Sequence, residues 1–203
     1  VRLESPGEAA LQQSLRAAWF DLRRSENNPF GGHYEGDRDH VEYQASYELN
    51  ADQAFSGTAR YEREGAETPG GLDNDFSTLA AAGEDQYSPG DWMHTVGLRG
   101  LDHEEFGSHT TGRVTTAYFT EVLASLFGGL ETKLRASYGT GFNAPTVYQL
   151  YSNQPLVAVG NPNLEPETSQ GGDVGFEHSL NETDRFSLTY FRNEVEDQFG
   201  FRL

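Results

Sequence analysis

Val41-Glu42-Tyr43-Gln44-Ala45-Ser46-Tyr47-Glu48-Leu49 alternates apolar and polar side chains at every step. An extended chain turns successive side chains to opposite faces, so this stretch is a strand with one apolar and one polar surface. A helix would scatter the same residues around its axis. Phe55-Ser56-Gly57-Thr58-Ala59-Arg60-Tyr61-Glu62 repeats the pattern, as does Arg185-Phe186-Ser187-Leu188-Thr189-Tyr190. Working outward on this criterion predicts about nine strands, at 11–23, 40–49, 53–64, 78–87, 92–102, 110–120, 132–142, 169–180 and 184–198. The fourth is the weakest, because Ala80-Ala81-Ala82-Gly83-Glu84-Asp85 alternates poorly and also suits a helix.

Most of these segments have about 10 or more residues, against a usual strand length of about 5–6. That is the length a tilted strand needs to cross a bilayer. The connections fall into two classes that alternate along the chain. Short ones are expected at 50–52, 88–91, 127–129 and 181–183, and long ones at 25–39, 65–77, 103–109 and 143–168. Turns at one rim and long loops at the other describe an outer-membrane barrel. Tyr43, Tyr61, Tyr118, Tyr138, Phe186 and Tyr190 sit on the apolar parity of their strands and suit interfacial belts. The fold class is therefore all-β, an antiparallel up-and-down transmembrane β-barrel portion. A soluble β-sandwich binding module is the alternative, but it has no reason to segregate its loop lengths so regularly.

Composition narrows the function. Lys and Arg number 14 against 32 Asp and Glu, a net charge of −18, which argues against nucleic acid and against a polybasic membrane-surface segment. Cysteine is absent, so there is no disulfide framework, thiolate metal site or cysteine nucleophile. No run approaches the roughly 18 apolar residues of a membrane-spanning helix. The mean hydropathy of −0.67 does not oppose a barrel, because it averages a lipid-facing and a polar surface. Much of the acid, including Asp37, Asp39, Glu67, Asp73, Asp75 and Asp102, is expected in or beside the long loops.

One segment carries a family likeness. A strand ends in Gly139-Thr140-Gly141-Phe142-Asn143-Ala144-Pro145, and Asn161-Pro162-Asn163-Leu164-Glu165-Pro166-Glu167 then leads into the next strand. In order and spacing this resembles the barrel of TonB-dependent outer-membrane receptors, of the vitamin B12 and ferric siderophore type. The stretch 97–113 resembles the strand–loop–strand preceding it, and the match runs from about Leu11 to Gln198. Read physically, Pro145 ends the strand, 146–151 forms a helical turn, and Pro162 and Pro166 stiffen the return path. The motif residues Gly139, Gly141, Phe142, Ala144, Pro145, Asn161, Pro162, Leu164, Pro166 and Glu167 are expected to shape loop and rim.

The resemblance implies a 22-stranded barrel with a plugged lumen. Residues 1–203 would be an internal part of such a barrel domain, an open curved sheet, with the plug domain absent. It also implies location in the bacterial outer membrane, contact with outer-membrane lipid, and energisation by TonB acting through the missing plug. The cargo would be vitamin B12, which is favoured, or a ferric siderophore. A passive porin-like channel is the other membrane reading.

The candidate ligand-facing residues are Phe30, His33, Tyr34, Asn143, Tyr148, Tyr151 and Asn153, aromatic and hydrogen-bonding groups at the expected barrel mouth. No catalytic constellation is present, so the chain does not read as an enzyme. His103-Glu104-Glu105 with His109 fits no zinc spacing and reads as solvated loop residues. Asp73-Asn74-Asp75 lacks the glycine and terminal glutamate of a calcium loop. No metal and no cofactor are expected.

Overall fold

The computed structural model describes residues 1–4, 10–25, 33–68, 72–154 and 158–200. Among them, ten strands form one antiparallel sheet in which each pairs with its neighbours in the chain. They are β1 (Arg2–Glu4), β2 (Leu11–Ser25), β3 (His33–Asn50), β4 (Gln53–Thr68), β5 (Leu72–Tyr87), β6 (Trp92–His103), β7 (Gly107–Thr120), β8 (Glu131–Asn143), β11 (Glu167–Ser179) and β12 (Arg185–Glu196). Helix α1 (Val122–Phe127) follows β7. After β8 come helix α2 (Val147–Tyr151) and a two-residue-per-strand hairpin, β9 (Asn153–Gln154) with β10 (Ala158–Val159). β1 and β12 are the two edges of the large sheet. All nine expected strands are present, including β5, whose alanine run pairs fully with β4 as Ala80↔Arg60, Ala81↔Ala59 and Ala82↔Thr58.

Register shows how the two faces differ. Directly paired residues share a face, so the ladders trace rows across the sheet. One outward row runs Trp92, Tyr118, Leu134, Phe176, Leu188. Another runs Val41, Tyr61, Leu79. Between them the outward face carries mostly apolar or small residues, such as Ala59, Ala81, Val96, Leu98 and Ala136, many of them exposed. Large exposed hydrophobics on one face of a sheet are the mark of a lipid-facing band. The opposite face carries Arg60, Glu62, Arg99, Arg113, Arg135 and Asp173, the polar lining of a lumen.

Four expectations about connections need correction, and one is the loop expected at 25–39, which is shortened because β2 runs to Ser25 and β3 begins at His33. The loop expected at 65–77 shrinks to 69–71, because β4 runs on to Thr68 and β5 begins at Leu72. The loop expected at 103–109 is a turn at 104–106, closed by Gly107. Conversely, the short turn expected at 127–129 belongs to a longer connection that holds α1. The physical reason for the shortened loops is strand overhang. β3 has 18 residues and β4 and β5 have 16 each, whereas crossing a bilayer takes about 9–11. Beyond the apolar band the ladders continue with polar groups on both faces, so alternation fades although the strands persist. Asp37, Asp39, Glu67, Asp73, Asp75 and Asp102 are therefore strand residues, not loop residues.

The two faces make a directional prediction. In the intact protein, Val96→Lys places a charge in the lipid-facing band and should destabilise by about 2–4 kcal/mol. Thr95→Lys, one residue away on the lumenal face, should cost under about 1 kcal/mol by the same measure. Urea unfolding in phospholipid vesicles distinguishes the two.

Candidate functional site

The connection between β8 and β11 folds back over the polar face. Thr146 caps α2: its Oγ1 accepts from Gln149 N at 3.3 Å, and Gln149 Oε1 accepts from Thr146 N at 2.9 Å. This reciprocal box nucleates a helix of only five residues. One face of α2 then buries Val147 (0% exposed) and Leu150 (2%) against Ala66 and Phe76 of the lumenal wall, with Phe106, Tyr151 and Leu164 around them. The return path is fixed by backbone bonds, Gly160 N to Ser152 O at 2.6 Å and Asn161 N to Gln149 O at 2.9 Å. A methyl group at Gly160 would lie 2.6 Å from the Leu150 carbonyl, so only glycine fits this approach.

Beneath the folded segment lies a cavity of about 270 Å³. Its walls are Arg38, Glu62, Glu64, Thr78, Arg99 and His103 from the sheet, and residues 142–147 from the covering segment. Apart from Arg99, which pairs with Ala82, these sheet residues belong to two lumenal rows, Phe20–Arg38–Glu64–Phe76 and His40–Glu62–Thr78–His103. Arg38 donates to Glu64, and Arg60 donates to Glu62 while lying 3.8 Å from Glu42. Arg38 and Arg60 are thus paired, and Arg99 is the further cation of the cavity wall. Mixed aromatic, amide and ionic groups around a partly covered hollow of this size can contact polar groups on part of a solute.

His103 is buried, not solvated as its sequence neighbourhood suggested. Its ring packs 5.5 Å from Phe76 and 5.1 Å from Phe106, and its Nδ1 accepts from Glu105 N at 3.2 Å. Burial pushes its pKa below the ordinary histidine value, against the pull of Glu105, Glu64 and Glu104, which favour the charged form. His109 is also no free loop residue: it stacks on Phe142 at 3.9 Å. That stack fills a cleft where β7 and β8 part. Their ladder stops at Arg113↔Gly139, while β8 stays paired to β11 as far as Asn143↔Glu167.

The expected ligand residues scatter. Phe30 lies outside the described residues, as do the side chains of His33, Tyr34 and Asn153. Asn143 lines the cavity, but its Nδ2 donates to Glu167 Oε2 at 2.9 Å, tying the base of the segment together. Tyr148 and Tyr151 are half-buried on α2, Tyr151 with its ring 6.1 Å from Phe76. Three of the motif residues make contacts within the chain. Pro145 is fully buried, Asn161 Oδ1 accepts from Asn163 N at 3.0 Å, and Glu167 Oε1 accepts from Phe199 N at 3.0 Å. Sequence reasoning missed Arg38, Glu62, Glu64, Thr78, Arg99 and His103. Glu62, Glu64, Thr78 and Arg99 stand on the lumenal parity of the expected strands, whereas Arg38 and His103 lie just past the expected strand ends.

An antiparallel sheet with a lipid-facing band, a polar lumenal face and a segment folded into the lumen defines an outer-membrane barrel wall. The chain belongs to the TonB-dependent receptors: the family model for the TonB dependent receptor-like beta-barrel matches residues 6–202. It is 31% identical over 110 residues to the vitamin B12 transporter BtuB of Photobacterium profundum, covering 54% of this chain and 16% of that protein. The chain thus spans about a sixth of the length of that curated relative. Among solved structures, the siderophore receptor PirA from Pseudomonas aeruginosa superposes with a TM-score of 0.67 at 21% identity, covering 92% of this chain and 40% of that one. The RagAB peptide importer superposes with a TM-score of 0.65 at 11% identity, covering 96% and 29%. These structural likenesses show the fold, and membership of the family places the chain in the bacterial outer membrane.

Two measurements follow on the intact protein. Leu150→Ala removes a fully buried side chain and should cost the packed segment about 2–5 kcal/mol. Protease should then cut within 144–166, while heat-modifiable gel mobility shows that the barrel remains folded. A lowered His103 pKa stabilises the packed state above the ordinary value near 6.5, and that contribution is lost as pH falls from about 6.5 through the depressed value. Protease resistance of the segment should accordingly decline between about pH 7 and pH 5, and His103→Asn should flatten the dependence.

Proposed function

We propose that residues 1–203 are part of the barrel domain of an outer-membrane receptor for a scarce nutrient, with vitamin B12 as the cargo. The rest of the barrel, and a plug through which TonB supplies energy, would lie elsewhere in the whole protein. The observation that carries the cargo reading is the charge state of the vestibule. Arg38 and Arg60 are paired with Glu64 and Glu62, and the chain as a whole carries −18. Such a wall suits a bulky, amide-rich ligand of low charge. A ferric catecholate, with its several negative charges, calls for an excess of cations, whereas here Arg38, Arg60 and Arg99 are matched in number by Glu42, Glu62 and Glu64. The 31% identity to a vitamin B12 transporter favours the same cargo. The proposal has no catalytic step.

Equilibrium binding to the purified intact receptor tests this. Vitamin B12 should bind with a submicromolar Kd, and a ferric catecholate should not bind measurably. The reverse pattern would assign the receptor to a siderophore. Uptake by cells should vanish when TonB is deleted, and uptake that persists would instead identify a passive channel.

A further inference from the structure

The connection between β7 and β8 differs from the other turns at its rim. The turns at 51–52, 88–91 and 181–184 are polar and contain Asp52, Asp91, Glu182 and Asp184. Residues 122–130 read Val-Leu-Ala-Ser-Leu-Phe-Gly-Gly-Leu, with no charge. The ladders show where this segment lies. Next to the outward row Trp92–Tyr118–Leu134–Phe176–Leu188, one step nearer the rim, runs the row Thr120–Thr132–His178–Phe186. Thr132 and His178 thus point to the lipid side at the edge of the apolar band. Yet they are 0% and 5% exposed.

The segment after α1 covers them. His178 Nε2 lies 2.7 Å from the Gly128 carbonyl, which can only accept, so Nε2 carries a proton. Its Nδ1 lies 2.9 Å from Thr132 Oγ1, which completes the pairing of both ring nitrogens. Gly129 has φ 124°, and a Cβ there would fall 2.7 Å from the Ser179 carbonyl oxygen and 2.8 Å from His178 Nε2. The backbone is therefore pressed onto the outward side of β8 and β11. Ala124 is buried, while Val122, Leu126 (71% exposed) and Leu130 stand out to the surroundings. Val122 and Leu126, four residues apart, share one face of the helix.

We infer that α1 and the following Gly128–Leu130 turn are a membrane-interface anchor, seated in the headgroup–acyl boundary of the inner leaflet of the outer membrane. The occupant of the exposed apolar face is phospholipid, because the face continues the lipid-facing band and lies on the short-turn rim, which faces the periplasm in outer-membrane barrels. The buried His178–Thr132 pair lets the band end on polar residues without exposing them to lipid. The helix replaces them at the surface with aliphatic side chains, as an in-plane amphipathic segment does.

The test uses the intact receptor in phosphatidylethanolamine–phosphatidylglycerol vesicles, with a nitroxide on Leu126→Cys, and in separate proteins on Val122→Cys and Asn181→Cys. All three positions are exposed, and heat-modifiable mobility verifies each folded barrel. Spin relaxation by oxygen, which partitions into lipid, is compared with relaxation by a water-soluble nickel chelate. The oxygen-to-nickel ratio at 122 and 126 should exceed that at 181 several-fold. A ratio at 126 equal to that at 181 would place the helix in water and overturn the inference. A label immobilised and shielded from both relaxants would mean that protein covers the face, and would overturn it equally.

Discussion

Lipid offers a backbone N–H or C=O no partner, and that constraint shapes everything else in this molecule. Each peptide group must be satisfied by a neighbouring strand, so the chain is committed to uninterrupted ladders and strict alternation. Alternation then divides the chemistry. On the same strand, Tyr61 and Ala59 face hydrocarbon while Arg60 and Glu62 face the lumen. The acidic balance and the low mean hydropathy describe one of these faces and the overhangs; the band that meets lipid is hidden in the average.

The ladders outlast the constraint that created them. Past the bilayer, β3, β4 and β5 continue as a raised wall whose outward residues are charged, with Arg63 held by Asp75 at 2.8 Å. On the inner side the same overhang carries Arg38, Glu64 and Phe76 up to the folded segment after β8. The wall and the segment depend on each other. Phe76 and Ala66 give Val147 and Leu150 an apolar seat on an otherwise polar face, and the seated helix in turn roofs the vestibule. His103 belongs to this join, which explains why its burial, and not its neighbouring acids, sets the direction of its pKa.

How much of this was legible in the sequence depended on contrast between the two faces. Val41–Leu49 declared itself because apolar and polar residues alternate without a slip. Pro145, the helical turn and the path back through Asn161–Pro162 were legible because proline and capping residues act locally. The overhangs were not. Asp73-Asn74-Asp75 and Arg38-Asp39 are polar on both faces and read as loop, although their backbones sit in full ladders. Of the vestibule residues, Arg38 and His103 were lost with them. The covering of His178 by Gly128–Gly129 was equally invisible, since it joins positions 50 residues apart.

The most direct test of the account is a cysteine accessibility scan along β4 in the intact receptor, made simple by the absence of cysteine from this chain. Each residue from 53 to 68 is replaced in turn, and its labelling by a water-soluble maleimide is measured in vesicles. Labelling should alternate strictly from 55 to 62, strong at Ser56, Thr58, Arg60 and Glu62 and weak at Phe55, Gly57, Ala59 and Tyr61. From Arg63 onward, outward positions should become reactive as well. A repeat of three to four residues, or uniform reactivity from 55 to 62, would contradict the barrel wall described for this chain.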